Sequence, residues 1–302
     1  MSEITAQQFM QRVVAALDRL EQGAADVASA PDWSSVLAAR WMPAAEAGWL
    51  RVLDVRLDNQ LDDLLGVARQ KALLQANTAQ FVHGLPANNA LLWGARGTGK
   101  SSLIRALLAA YADQGLRLIE MDKADLLHLP ALVAQIRDLP WRFILFCDDL
   151  AFEADDSGYK ALKTVLDGTV ESAPPNLLLY ATSNRRHLLP EQRSDNLAAS
   201  MVDGELHPGE AIEEKVALSD RFGLWVSFYP FSQDQYLEVV RHWLGQLATE
   251  FGLSWNWSDP LQQEALRWAT GRGNRNGRCA YQFARSWVGR QLLAEATVSG
   301  CD

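Results

Sequence analysis

Eight consecutive residues, Gly94-Ala95-Arg96-Gly97-Thr98-Gly99-Lys100-Ser101, carry the strongest chemical pattern in the chain. Glycines at these intervals let successive main-chain amides turn toward one point and converge on an anion. A lysine at the start of a helix reaches the β- and γ-phosphates of a nucleoside triphosphate, and the following serine hydroxyl can ligate the magnesium that accompanies them. The pattern G-x-x-x-x-G-K-[ST] is met at every fixed position, between an apolar run at Asn89–Gly94 and a helical pattern with Leu103, Ile104, Leu107 and Leu108 on one face. That helix directs its positive N-terminal end at the same anion. The expected phosphate-binding set runs from Gly94 through Ser102.

Two carboxylates complete the chemistry. Phe143-Ile144-Leu145-Phe146-Cys147-Asp148-Asp149 places a pair of acids where a buried strand emerges. The strand is expected to neighbour the phosphate loop, with Asp148 joining Ser101 on magnesium and Asp149 polarising the attacking water. Glu153 and Asp155 compete for the second role. The implied ligands are ATP and Mg²⁺.

Positioning such a site takes strands alternating with helices, and the chain shows that rhythm from Leu61 onward. The spacing predicts strands at 89–94, 117–122, 142–149, 177–184 and 224–229, with helices at 100–112, 124–137 and 158–170. Residues 185–210 read as an irregular excursion, followed by a short helix to Asp220. Beyond Pro230 three helices are expected, with Ser232 and Asp259 as N-caps. Before Leu61, Phe9, Val13, Ala16, Leu17 and Leu20 recur at helical spacing, and Trp33, Trp41 and Trp49 are evenly spaced. That regularity suits a partner-binding face, although tryptophans in a helical segment more often pack against the parent domain. The fold class expected is α/β: a five-stranded parallel P-loop sheet over residues 59–230, a C-terminal helical lid over 231–302 and an N-terminal helical extension over 1–58.

Composition narrows the partners. The formal net charge is −9, from 28 Lys and Arg against 37 Asp and Glu, which repels polyphosphate at long range and disfavours nucleic acid. Three scattered cysteines make neither a disulfide framework nor a zinc site. Neither a secretory signal nor a membrane-length apolar segment is evident, so a cytoplasmic location is expected.

These residues together resemble the AAA+ superfamily of P-loop ATPases. Leu64-Leu65-Gly66 with Gln70 looks like the superfamily's adenine-side segment, so Leu65 and Gly66 join the expected nucleotide contacts. Asn184 stands where that superfamily carries a polar "sensor 1" residue. Leu218–Gly223 looks like the box whose arginine, here Arg221, reaches a neighbouring subunit's site; Arg185 and Arg186 are alternatives. Arg278 fits "sensor 2", with Arg275 its rival. The stretches 85–103, 146–150, 182–188, 207–215, 218–231 and 276–283 are similar to a bacterial group of stand-alone AAA+ ATPases known mainly as a domain of unknown function.

The resemblance departs at two points. Asp149 stands where the superfamily usually has Glu, and a shorter side chain must sit closer to the water. Lys123–Pro130 lacks the aromatic pore residue of threading motors. The function implied is Mg·ATP hydrolysis, with catalytic Asp149, Asn184, Arg221 and Arg278. It would be coupled to a protein partner, through residues 1–55, and to self-association through Arg221. Alternatives are a slow ATP-gated binding module, a nucleic-acid loader and a small-molecule kinase.

Overall fold

The computed structural model describes residues 30–44, 48–58, 60–152, 162, 174–185, 200–202, 205–207 and 221–299. In chain order these form β1 (Ala38–Met42), β2 (Trp49–Leu53), α1 (Ala68–Val82), β3 (Ala90–Gly94), α2 (Lys100–Tyr111), β4 (Leu116–Glu120), a 3-10 turn (Lys123–His128) running into α3 (Leu129–Ile136), and β5 (Arg142–Cys147). There follow β6 (Leu177–Ser183), β7 (Ser200–Val202), β8 (Glu205–His207), β9 (Leu224–Phe228), α4 (Gln233–Phe251), α5 (Asp259–Gly271) and α6 (Gly277–Ser299).

The strands read as unbroken apolar runs because both faces of the sheet are covered. Along β5, Ile144 and Phe146 enter one core with Leu92, Leu103, Leu107 and the lid residues Tyr236 and Phe283. Phe143, Leu145 and Cys147 enter the other, with Leu91, Ile119, Leu132 and Phe222. The main sheet has the order β2-β1-β4-β5-β6-β3-β9, and every pairing is parallel except β1 with β2. The C-terminal ends of β3, β5 and β6 therefore open on one edge, where ligands of parallel α/β sheets bind.

The main sheet has seven strands where five were expected, and the difference lies in the N-terminal segment. β1 and β2 pair antiparallel, Ala38 opposite Leu53 and Met42 opposite Trp49, where a helical extension was expected. β1 runs beside β4 with Ala38 opposite Leu118 and Arg40 opposite Glu120. Ala38 and Ala39 are fully buried. Trp33 and Trp41 are core residues, Trp33 edge-on to Phe143 at 4.9 Å between ring centres. They face the parent domain rather than a partner. Arg117, buried on β4, anchors the segment by donating to the Trp33 carbonyl at 2.7 Å while lying over the Trp141 ring.

Smaller departures have local causes. Residues 124–137 divide into the 3-10 turn and α3, which takes Pro130 in its first turn, where a missing N–H costs nothing. The N-cap of α5 is Ser258, one residue before the expected Asp259. The excursion at 185–210 contains the antiparallel pair β7–β8. The helices read at 1–20 and 158–170, and the one ending at Asp220, fall outside the described residues, apart from Leu162, which is helical and buried. Among the described residues no helix is long and apolar enough to cross a membrane.

The Trp41 ring is buried, yet its Nε1 has no hydrogen-bond partner. Trp41→Ala should cost about 3–5 kcal/mol, as for other buried large-to-small changes. Trp41→Phe, which removes the orphan donor, should cost far less. Urea midpoints at unchanged m-value measure both.

Candidate nucleotide-binding site

The phosphate loop is strung between the end of β3 and the first turn of α2. Gly94 has φ 126°, and a Cβ there would lie 2.0 Å from the Phe228 carbonyl oxygen. That oxygen accepts the Ala95 N–H at 2.9 Å, so the loop leaves the sheet locked to β9. Gly97 has φ 75°, and its Cβ would strike the Asn276 side chain at 2.8 Å. Thr98 is buried and donates its hydroxyl to the Ala95 carbonyl at 2.8 Å. Gly99 caps α2, whose first turn carries Lys100, Ser101 and Ser102.

Lys100 is only 7% exposed. Its Nζ donates to the carbonyls of Gly94 at 2.9 Å and Ala95 at 2.7 Å, and reaches Asn184 Oδ1 at 3.4 Å. The ammonium therefore points into the turn that the loop encloses. Burial pushes its pKa below the usual lysine value, the charges of Asp148 and Asp149 oppose that shift, and Arg96 and Arg278 reinforce it. Three cations thus share one field, which an incoming polyanion would relieve.

The acids meet this cluster from the far side of β6. The strand bearing Asp148 ends beside the phosphate loop, as expected, although it is not a sheet partner of β3: β3 pairs with β6 and β9, and β6 separates it from β5. The reach is made by side chains: Ser101 Oγ donates to Asp148 Oδ1 at 2.7 Å. A serine hydroxyl and one carboxylate, both hard oxygen donors, suit Mg²⁺, which usually keeps substrate phosphates and waters as its other ligands. Among the described residues no group of three or more His, Cys, Asp or Glu side chains gathers to form an all-protein cage. The donor set fits magnesium shared with a phosphate.

Asp149 is the one described non-glycine residue with positive φ, at 53°. Asn184, at the end of β6, donates to its Oδ1. Arg96 lies 3.9 Å from its other oxygen, an exposed and therefore weak pair. Asn184 thus links Lys100 to Asp149. Glu153, Asp155, Arg186 and His187 lie outside the described residues, while Arg185 is exposed just beyond β6.

The lid docks directly on the loop. Arg278 N–H donates to the Gly97 carbonyl at 3.1 Å, and the Asn276 amide donates to the Arg96 carbonyl at 2.9 Å while accepting from Cys279 N–H at 2.8 Å. Asn276 therefore caps α6 and ties it to the loop, a role invisible in the sequence reading. Of its neighbours, Arg275 is exposed and its carbonyl accepts from Phe231 N–H, while Arg272 stacks on Trp268 at 3.5 Å. Gly66 packs against Phe231, and Leu65 lines an open cleft of about 500 Å³ beside Arg241, His242 and Trp255 of the lid. Gln70 is turned to the sheet, donating to the Ser227 carbonyl at 2.8 Å.

Arg221 is the expected site residue that the fold does not bring to the cluster. It precedes β9, whose start lies beside Asn89 and whose end meets the loop. At about 3.3 Å per residue this puts it on the order of 15–20 Å from the phosphate loop of its own chain.

Comparison with curated proteins gives no match. Among solved structures the chain is similar to the Aeropyrum pernix ORC1 protein in complex with DNA, with TM-score 0.51, 16% identity and coverage of 77% of this chain and 65% of that one. It is also similar to a point mutant of Thermotoga maritima RuvB, with TM-score 0.50, 16% identity and coverage of 78% and 67%. The chain thus spans about two thirds of the length of these two structures. At these identities the likeness is one of fold alone. Residues 34–291 match the family model described as "Protein of unknown function (DUF815)", and the chain belongs to that family.

Proposed function

We propose that the protein is a Mg·ATP-dependent ATPase that hydrolyses ATP to ADP and phosphate, completes its site through contacts between copies and uses the cycle to remodel or regulate a protein partner. The observation that carries this reading is the buried Lys100 ammonium, enclosed by the loop and linked through Asn184 to Asp149, with Ser101 on Asp148 beside it. In this scheme Gly94–Ser102 and Lys100 hold the triphosphate, and Leu65 and Gly66 border its base. Ser101 and Asp148 would hold the magnesium ion, which when bound would offset phosphate charge. Asp149 orients the water and Asn184 steadies Asp149. Arg278, opening α6 over the loop, adds positive charge at the phosphates. Arg221 acts on the site of a second copy, since its own is out of reach; an arginine supplied in trans is worth roughly 10³–10⁵ in rate.

One observation favours slow turnover. Asp149 is shorter than glutamate and is held back by Asn184 on a left-handed backbone. An ATP-gated binding module, recruiting its partner through residues 1–55, is the second reading. Wild-type turnover no faster than that of Lys100→Ala, with ATP still bound tightly by the wild type, would select it.

The ORC1 structure contains DNA. Here the net charge of −9 supports a protein client, and no salt-dependent retardation of single-stranded DNA is expected.

Lys100→Ala should lose measurable affinity for ATP in calorimetry without loss of fold. Because burial lowers the Lys100 pKa, its charge is complete well below that depressed value and is lost as pH rises through it. ATP affinity should therefore decline at a pH lower than an ordinary lysine would give, and a titration of affinity from pH 7 to 10 reads this directly. Specific ATPase activity should rise with protein concentration. Lys100→Ala and Arg221→Ala, each inactive alone, should regain part of the activity when mixed, because a mixed contact holds one intact loop and one intact arginine.

A further inference from the structure

β5 ends at Cys147, opposite Ala181 of β6, so the next residue of β6, Thr182, stands beside the point where the two acids leave the sheet. Its side chain is 2% exposed. The Thr182 hydroxyl donates to Asp148 Oδ1 and accepts the Asp149 N–H at 2.9 Å. The Thr182 carbonyl accepts the Leu150 N–H at 2.7 Å. One residue of the intervening strand therefore takes up all three positions after β5. A hydroxyl has one donor and two acceptor sites, so both side-chain bonds can form together.

We propose that Thr182 is a positioning residue that sets both carboxylates at once, orienting Asp148 for the metal and holding Asp149 in its left-handed turn toward the water. The inference rests on the ATPase reading. Its force comes from what Asp148 and Asp149 lack otherwise. Both side chains are exposed beyond the strand end, so neither is held by packing. Asp148 Oδ1 receives two hydroxyl donors, one from Ser101 on the phosphate loop and one from Thr182 on the sheet. The first comes from the opening turn of α2 and the second from a buried strand. Without the second, the Asp148 carboxylate keeps only the Ser101 bond and loses its tie to the sheet, and the Asp149 N–H loses its acceptor. A lone buried threonine in a strand would be a β-former with a satisfied hydroxyl. This one directs both bonds to consecutive acids at the loop.

Valine is the informative replacement, because it keeps the β-branched shape favoured in a strand and removes only the hydroxyl. In the full-length protein, Thr182→Val should leave the melting midpoint and the affinity for ATP in EDTA close to wild type. It should weaken Mn²⁺ binding to the ATP complex, read by electron paramagnetic resonance, by roughly 10–100-fold, the usual loss when a ligand's supporting partner is removed. The turnover number should fall while KM changes little, and Thr182→Ser should restore both. Equal Mn²⁺ affinity and turnover in wild type and Thr182→Val overturn the proposal. So does a Thr182→Ser protein as impaired as Thr182→Val, since serine retains the hydroxyl. Failure of the wild type itself to bind ATP is a separate result that removes the ATPase reading.

Discussion

Asp148 and Ser101 approach within 2.7 Å although they come from elements that do not touch as strands. β3 and β5 lie two positions apart in the sheet, on the order of 10 Å between backbones. The gap closes only because the loop turns over the end of β6 and α2 begins there. Most other features of the site follow from that crossing. Gly94 must lack a side chain to let the loop leave β3 against β9. β6 must end in short polar residues, Thr182, Ser183 and Asn184, because its end lies beneath the loop. β5 must stop as its acids emerge, which Thr182 and the left-handed Asp149 accomplish together.

The same crossing concentrates positive charge in an acidic protein. Lys100 is buried among carbonyls, with Arg96 and Arg278 in its field. Burial of an ammonium is costly unless its donors are satisfied. Here the Gly94 and Ala95 carbonyls supply acceptors while the acids beyond β6 supply opposing charge. The arrangement is paired enough to fold and cationic enough to attract a polyphosphate, whatever the overall charge of −9.

The lid is continuous with this network. Two main-chain carbonyls of the loop, Arg96 and Gly97, accept hydrogen bonds from the start of α6, and Phe231, just before α4, lies against Gly66 and Gly277. These bonds join the backbone of the loop directly to the start of α6. Such bonds contribute about 1 kcal/mol each, strong enough to set a resting geometry and weak enough to exchange.

What the sequence determined alone is whatever depends on neighbours along the chain. The phosphate loop was legible because three glycines, Lys100 and Ser101 act through one short turn. The five central strands were legible because burial on both faces makes their apolar runs continuous, and Ser232 was legible as a cap because its bond reaches only Gln235. The tertiary structure decided the rest. Ala38 and Ala39 favour helix by propensity, and pairing with β2 on one side and with β4, some eighty residues on, on the other makes that segment a strand. The β7–β8 pair carried a signal that was missed, an Asp203-Gly204 step between short runs, but strands of three residues are too brief for periodicity to register. The roles of Thr182 and Asn276 depend on the fold. Their partners lie 34 and 180 residues away, and a side-chain hydroxyl or amide acquires meaning only from what the fold places against it.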